Sequence, residues 1–496
     1  MNKVYNYVIV GTGPTGLSLA WYLAKENKTV LLIDKETSIG GCHRVQRVNG
    51  LFTEHGPRVY SDVYLNFIEL LEEMNLKFND MFTLYSFNLA TIGNKNPNSF
   101  KLNEMIAFIL AFIMLVFNPI YGQDVSMKTF MDENSFTLES KDYVDRLCRL
   151  TDGAQADRYT LFQFLQLINN QQLYGLYQPV KPNDDGLLHL WENKLKETKL
   201  VSFLMNHDVI SLNNYGNTID NITVMNRTTS EKIIIKGERY ILAIPPKPLK
   251  KLLLNSEPAK YAFGDIDTII KWSNDNSYFE YIPITLHWKN KIDLPKIWGF
   301  PASDWGLAFI VLSNYMKFNR PIELENSNTV ISTAITFTDR KSNFTNKTAD
   351  ESDINEINTE VLRQLRLSYP DIPNPDFMLI SPQVYKDNDK WVNMDTAFVS
   401  TPDLNQYVSS QSLIFNNLYN CGAHNGKSNY HFTAMETAVV NALHLFNKLE
   451  PNRKNKRTII KYKQITEYVH IGIIILIIMI GLFIYRDKII KYFSKV

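Results

Sequence analysis

Cysteine is scarce in this 496-residue sequence, with Cys42, Cys148 and Cys421 the only three. So few thiols, so far apart, make no disulfide framework and fit a reducing compartment for the main body. No C-x-x-C pair or Cys/His cluster occurs, which leaves no ligand set for a structural zinc ion. An excess of one charge is also missing. Lys and Arg total 52 against 51 Asp and Glu, so nothing in the balance selects a polyanion, nucleic acid included. The N-terminus has no secretory apolar run, because Tyr7 to Val10 is cut at once by Gly11. Neither a G-x-S-x-G nor an H-E-x-x-H motif is present, so no activated serine or zinc-protease pair announces itself.

The chain is long enough for two or three domains. Tyr5 to Val10 reads as a short buried strand, followed by Gly11-Thr12-Gly13-Pro14-Thr15-Gly16 and a helix over Leu17 to Asn27. Thr29 to Ile33 is a second strand that ends at Asp34. Strand, glycines, helix, strand and acid together form the βαβ dinucleotide fingerprint. Gly11 permits the tight turn, Gly13 lets a pyrophosphate approach the backbone, and Gly16 lets helix and strand pack closely. The helix N-terminus offers free N–H groups and partial positive charge to the phosphates, with Pro14 and Thr15 in its first turn. Asp34, with Lys35 beside it, stands where an acid accepts hydrogen bonds from ribose hydroxyls.

The continuation narrows the cofactor. Gly40-Gly41-Cys42-His43-Arg44 is followed by Glu54-His55-Gly56-Pro57-Arg58. This pattern resembles the flavin-containing amine oxidase superfamily, which includes monoamine oxidase, protoporphyrinogen oxidase and phytoene desaturase. Glu54 to Arg58 is similar to the E-x-G-P-R run of protoporphyrinogen oxidases. The resemblance implies FAD, with Gly40, Gly41, Gly56 and Pro57 admitting the ribityl chain and ring, and Arg44 neutralising phosphate. Arg58 is read either as a cofactor contact or as a surface salt bridge. Val201 to Leu212 and Lys232 to Pro246 resemble later strands of the same domain, with the Val209 backbone meeting the adenine. Leu418 to His424 with Ala434-Met435-Glu436 resembles the closing flavin motif, which would bring Gly422, Met435 and Glu436 to the cofactor. His424 or Asn425 stands where that motif commonly has an acid.

The resemblance therefore implies an α/β, Rossmann-like FAD-binding domain that is discontinuous over 1–79, 195–255 and 410–450. An α+β substrate domain is inserted as 80–194 and 256–409. The first insertion is mainly helical by pattern, as over Ser140 to Leu150 and Tyr159 to Asn169. The second holds strand-like runs at Tyr281 to Trp288, Leu307 to Leu312 and Val330 to Phe337, expected to roof the flavin. Trp288, Trp298, Trp305, Tyr315 and Trp391 are candidates for an apolar lining, though ordinary core is the simpler reading. The implied activity is oxidation of an amine or other lipophilic substrate by hydride-type transfer to FAD, with oxygen or a quinone as acceptor. Neither Cys42 nor Cys421 matches the family's flavin-bonding cysteine, so the cofactor is expected to be non-covalent. No catalytic side chain stands out. The alternatives are a non-redox flavoenzyme of the UDP-galactopyranose mutase type and a non-catalytic flavoprotein scaffold.

Two apolar runs remain. Residues 471–485, IGIIILIIMIGLFIY, carry no charge. With the basic stretch 451–468 before them and a short tail, 486–496, after them, they lead to the expectation of a C-terminal transmembrane helix over 469–485. On that reading the protein is a single-pass, tail-anchored membrane protein with its catalytic domain cytosolic. Met105 to Phe117 is too short to span, and reads either as a core helix or as a face turned to a membrane.

Overall fold

A computed structural model describes residues 4–89, 100–275, 277–278, 280–298, 303–318, 327–394, 398–399, 408–428, 434–451 and 456–484. The first strand, β1 (Tyr5–Val10), is buried along its last four residues, as a strand covered on both faces must be. It leads into α1 (Pro14–Lys25), where Pro14 occupies the first turn and Thr15 through Ala24 are buried. β2 (Val30–Ile33) returns beside β1 in parallel. Three later segments complete this sheet: β5 (Val201–Leu204) on β2, β6 (Gly237–Leu242) on the other side of β1, and β11 (Leu418–Asn420) on β6, all parallel. The strand order is thus β11-β6-β1-β2-β5. The chain leaves β1 in one direction and returns on the other side of it. That switch opens a crevice at the carboxyl ends of the strands, above the glycine loop.

An antiparallel hairpin of β3 (Val45–Val48) and β4 (Leu51–Glu54) rises from the crevice. It meets a second sheet built from β7 (Ile282–Trp288), β8 (Leu307–Val311), β9 (Thr329–Ile335) and β10 (Phe377–Ile380) in the order β8-β9-β7-β10. Alternation sorts the faces of β7. Ile282, Ile284, Leu286 and Trp288 pack with Ile357, Val361 and Leu365 of α7 (Ile354–Leu365). The alternate positions turn towards the hairpin, where His287 Nε2 lies 2.9 Å from the Phe52 carbonyl oxygen. Two helices read from the sequence, α4 (Leu138–Asp152) and α5 (Leu161–Asn169), form a helical layer with α3 (Leu102–Phe117). Arg146 and Arg149 of α4 bolt it to the second sheet by donating to the carbonyls of Ser303 and Thr336, while both guanidiniums face the Phe337 ring.

α2 (Leu65–Glu73), α6 (Leu187–Glu197) and α8 (Met435–Leu449) pack around α1. Beyond α8, residues 456–464 run across the body without helix or strand. Ile460 N–H donates to Asn66 Oδ1, and Gln464 bonds Gln166 and Asn170. α9 (Ile465–Ile484) follows.

The expected C-terminal transmembrane helix, and with it the single-pass, tail-anchored membrane localisation, is corrected here. Among the described residues no helix is long and apolar enough to cross a membrane. The start of α9 is committed to protein instead: Thr466 N–H donates to Asn169 Oδ1 at 3.0 Å, and His470 Nε2 lies 2.6 Å from the Val116 carbonyl oxygen. The run counted from residue 469 therefore loses its first turn to a docking contact, and Glu467 stands in the turn before it. Tyr485 and the tail 486–496 lie outside the described residues, as does the Trp298 side chain. The other apolar run is α3, which buries Ala107, Ala111, Leu115 and Val116 and exposes Ile106, Ile109, Leu110 and Ile113. It is half core and half surface.

Candidate cofactor and substrate site

The crevice holds a cavity of about 580 Å³. One wall is the glycine loop. Gly11 sits at φ +108°, and a Cβ there would stand 2.3 Å from the Ala243 carbonyl oxygen, so only glycine lets β1 turn against the end of β6. Opposite it, a Cβ on Gly41 would meet Gly13 Cα at 3.1 Å. Two bare backbones thus face each other across the loop. α1 starts at this point with Gly13 as N-cap and no side chain closing its N–H groups, which leaves them for an anion. Gly16 lies behind the wall: its Cβ would strike Gly11 O at 2.1 Å, the close helix–strand packing expected of it.

Asp34, at the end of β2, is buried and fixed. Thr12 donates to its Oδ2 from both N–H (2.7 Å) and Oγ1 (2.6 Å), and Glu36 N–H donates to Oδ1 at 3.0 Å. These bonds couple the acid to the glycine loop while leaving part of its acceptor capacity for a ligand. Arg44 is also buried; its Nε donates to Ser38 O, and Nη2 stands 3.9 Å from Asp34 Oδ1.

The cavity brings together Gly11, Gly13, Pro14, Thr15, Asp34, Lys35, Gly41, Arg44, Val209 and Gly422. It does not line Gly16, Gly40, Gly56, Pro57, Arg58, Met435 or Glu436. Glu436 points to α2, where its carboxylate accepts from Asn66 N–H (3.1 Å), Asn66 Nδ2 (2.5 Å) and Phe67 N–H (2.9 Å). Burial pushes its pKa up to about 7 against those bonds. An acid caps the first turn of a helix 370 residues away.

Sequence reasoning missed several lining residues. Cys42, His43 and Glu36 adjoin the motifs, whereas Lys247, Gln383 and Met394 come from distant segments. His424, singled out as a departure from the closing motif, lines the cavity with its Nε2 2.6 Å from Asn420 Oδ1. Burial lowers its pKa to about 4, so a neutral imidazole stands where the family pattern has a charge. Burial also raises the Cys421 thiol well above its ordinary range.

Where the crevice meets the second sheet, the buried Glu54 and His55 lie with the half-buried Arg58 and Tyr281. A Cβ on Gly56 would touch the Tyr281 ring at 2.9 Å, so that glycine admits the ring. Burial lifts the Glu54 carboxyl to about 7, opposed by a hydrogen bond with Ser332 and by the Arg58 charge; its Oε1 has no partner. Arg58 donates to the Cys42 carbonyl, and among the described residues it forms no salt bridge. Burial opposes its charge, but Cys42, Tyr281, Glu54 and Tyr60 around it raise its pKa above the ordinary value.

A dinucleotide fits these residues: two facing bare backbones, an open helix N-terminus, a fixed acid at the strand end and a buried arginine beside it. The family model for an NAD(P)-binding Rossmann-like domain matches residues 9–74. No curated protein sequence matches the chain. Among solved structures, wild-type putrescine oxidase bound to putrescine aligns with a TM-score of 0.62 over 91% of this chain and 100% of its own, at 14% identity. Cyclohexylamine oxidase from Brevibacterium oxydans IH-35A gives 0.62 over 90% and 100%, at 12% identity. A protoporphyrinogen oxidase-like protein from Exiguobacterium sp. 255-15 gives 0.59 over 91% and 100%, at 14% identity. At such identities the likeness is one of fold. The chain shares its fold with these solved oxidases.

Proposed function

We propose that this protein is an FAD-dependent oxidoreductase that oxidises an amine or a related lipophilic substrate. The observation that carries the reading is the continuity of the cavity. One cavity is lined by Val209 and Glu36, the Gly13–Gly41 pair, Arg44, Gly422, Gln383 and Met394. A dinucleotide suits that lining. When bound, FAD supplies the electrophilic ring that accepts a hydride.

The chain's own residues then have separable tasks. Asp34 accepts from the ribose hydroxyls and fixes the loop through Thr12. Arg44 and the α1 N–H groups bind the pyrophosphate. His424, neutral and held by Asn420, serves the ribityl side without adding charge. The roof sheet excludes water above the reacting end. The protonated Cys421 thiol supports a non-covalent cofactor. The amine is favoured as substrate by the names of the neighbouring oxidases, and oxygen or a quinone remains the proposed acceptor. The domain division at 1–79, 195–255 and 410–450 belongs to the same reading.

The test is direct. Purified protein should be yellow and release FAD on acid precipitation. Anaerobic mixing with putrescine, cyclohexylamine or a porphyrinogen should bleach the flavin with at least one of them. A folded, colourless protein that takes up no FAD would end the proposal.

A further inference from the structure

β10 (Phe377–Ile380) ends the second sheet, and among the described residues no strand pairs with its outer side. β7, β8 and β9 are buried along their whole lengths, whereas all four residues of β10 are only half-buried. Natural sheets commonly blunt such an edge with a charge, a proline or a bulge. Phe377-Met378-Leu379-Ile380 carries none of these. Ser381 N–H donates to the Pro283 carbonyl at 3.0 Å, on the β7 side. The alternation of an antiparallel ladder then turns the N–H and C=O groups of Met378 and Ile380 outward, as a template for one more strand.

Side-chain alternation tells what such a strand would meet. Met378 lies opposite Leu286 and Ile380 opposite Ile284, on the face of the sheet that packs against α7. A strand added beyond β10 would send every second side chain to that face. An open groove of about 590 Å³ lies there, lined from α7 by Leu362 and Arg363, from just past its end by Arg366, and from β10 by Met378. Arg363 is taken up by the buried Glu360, which accepts at 2.7 Å from both its Nε and its Nη2. Arg366 differs. It donates to uncharged oxygens, Ile372 O at 3.2 Å and Asn374 Oδ1 at 2.7 Å, and among the described residues it forms no salt bridge. The exposed Phe344 ring, 5.0 Å from the Arg363 guanidinium, offers apolar contact in the same groove.

We propose that this groove takes an extended peptide segment of a partner protein, paired to β10 as a fifth strand, with carboxylate side chains at alternate positions facing Arg366. Backbone hydrogen bonds supply the affinity, and the arginine supplies the preference for acid. The site is separate from the cofactor cavity, with which it shares no lining residue.

The test uses the full-length chain and a fluorescein-labelled probe, Thr-Val-Glu-Val-Glu-Val-Thr, beside a twin with Lys in place of both Glu. By anisotropy the acidic peptide should bind at least about fivefold more tightly than the basic one. Arg366→Glu should reverse that order. Methylating alternate backbone nitrogens of the acidic peptide removes its ladder donors with the protein untouched, and should abolish binding. No binding by the wild type, equal affinity for the two peptides, an unchanged order in Arg366→Glu, or full binding of the methylated peptide would each overturn the proposal. So would a wild-type dimer that Met378→Pro turns into monomer, because the edge would then belong to a second copy.

Discussion

Replacing Glu436 by Gln isolates one buried acid, and its effect should be read against pH. In the folded protein this carboxyl holds its proton up to about pH 7, against 4.5 when exposed. Its folded-state pKa is raised, so the folded chain binds the proton more tightly than the unfolded chain does. The resulting stabilisation is complete below pH 4.5, declines as pH rises through about 7, and is absent above that. At about 1.4 kcal/mol per pH unit, the interval from 4.5 to about 7 corresponds to about 3.5 kcal/mol. Glu54 spans the same interval and contributes a second fall of similar size. Equilibrium urea denaturation at pH 5 and pH 8 would measure the sum in the wild type. Glu436→Gln should remove roughly half of that difference. An unchanged difference between the two pH values in Glu436→Gln would refute the burial argument.

Three further outcomes are expected. Asp34→Ala should weaken FAD binding by at least about tenfold in a fluorescence titration, since it removes the ribose acceptor and frees Thr12 from its anchor. Gly11→Ala should lower the melting temperature and abolish cofactor uptake, because its Cβ would stand 2.3 Å from the Ala243 oxygen at a positive φ. Cys42→Ser with Cys421→Ser should still bind FAD, and acid precipitation should release the flavin from wild type and double variant alike.

The cofactor half of the fold was legible because its signals are local. Glycines at fixed spacing, buried strands and a terminal acid all lie within β1, α1 and β2, and β1 begins and ends where the sequence placed it. The three runs expected in the roof are strands for the same reason, their alternation being short-range. What escaped depends on contacts between distant segments. Nothing near Glu436 reveals that its partner is Asn66, and nothing near Lys247 or Gln383 reveals a cavity wall. The expectation for the C-terminal apolar run failed for another reason. Hydropathy records how oily a stretch is, not what covers it, and the docking of Thr466 and His470 onto α5 and α3 has no counterpart in composition.

The order β11-β6-β1-β2-β5 has a consequence for biosynthesis. β6 has no outer neighbour until residues near 420 leave the ribosome, and the wall formed by Cys421 to His424, Ala434 and Ala438 arrives later still. A nascent chain thus carries an open sheet edge through most of its translation, a state prone to mispairing. On the proposed reading, a flavin would be gripped only after this last wall is delivered, so cofactor uptake would separate chains made past Ala438 from those interrupted before it.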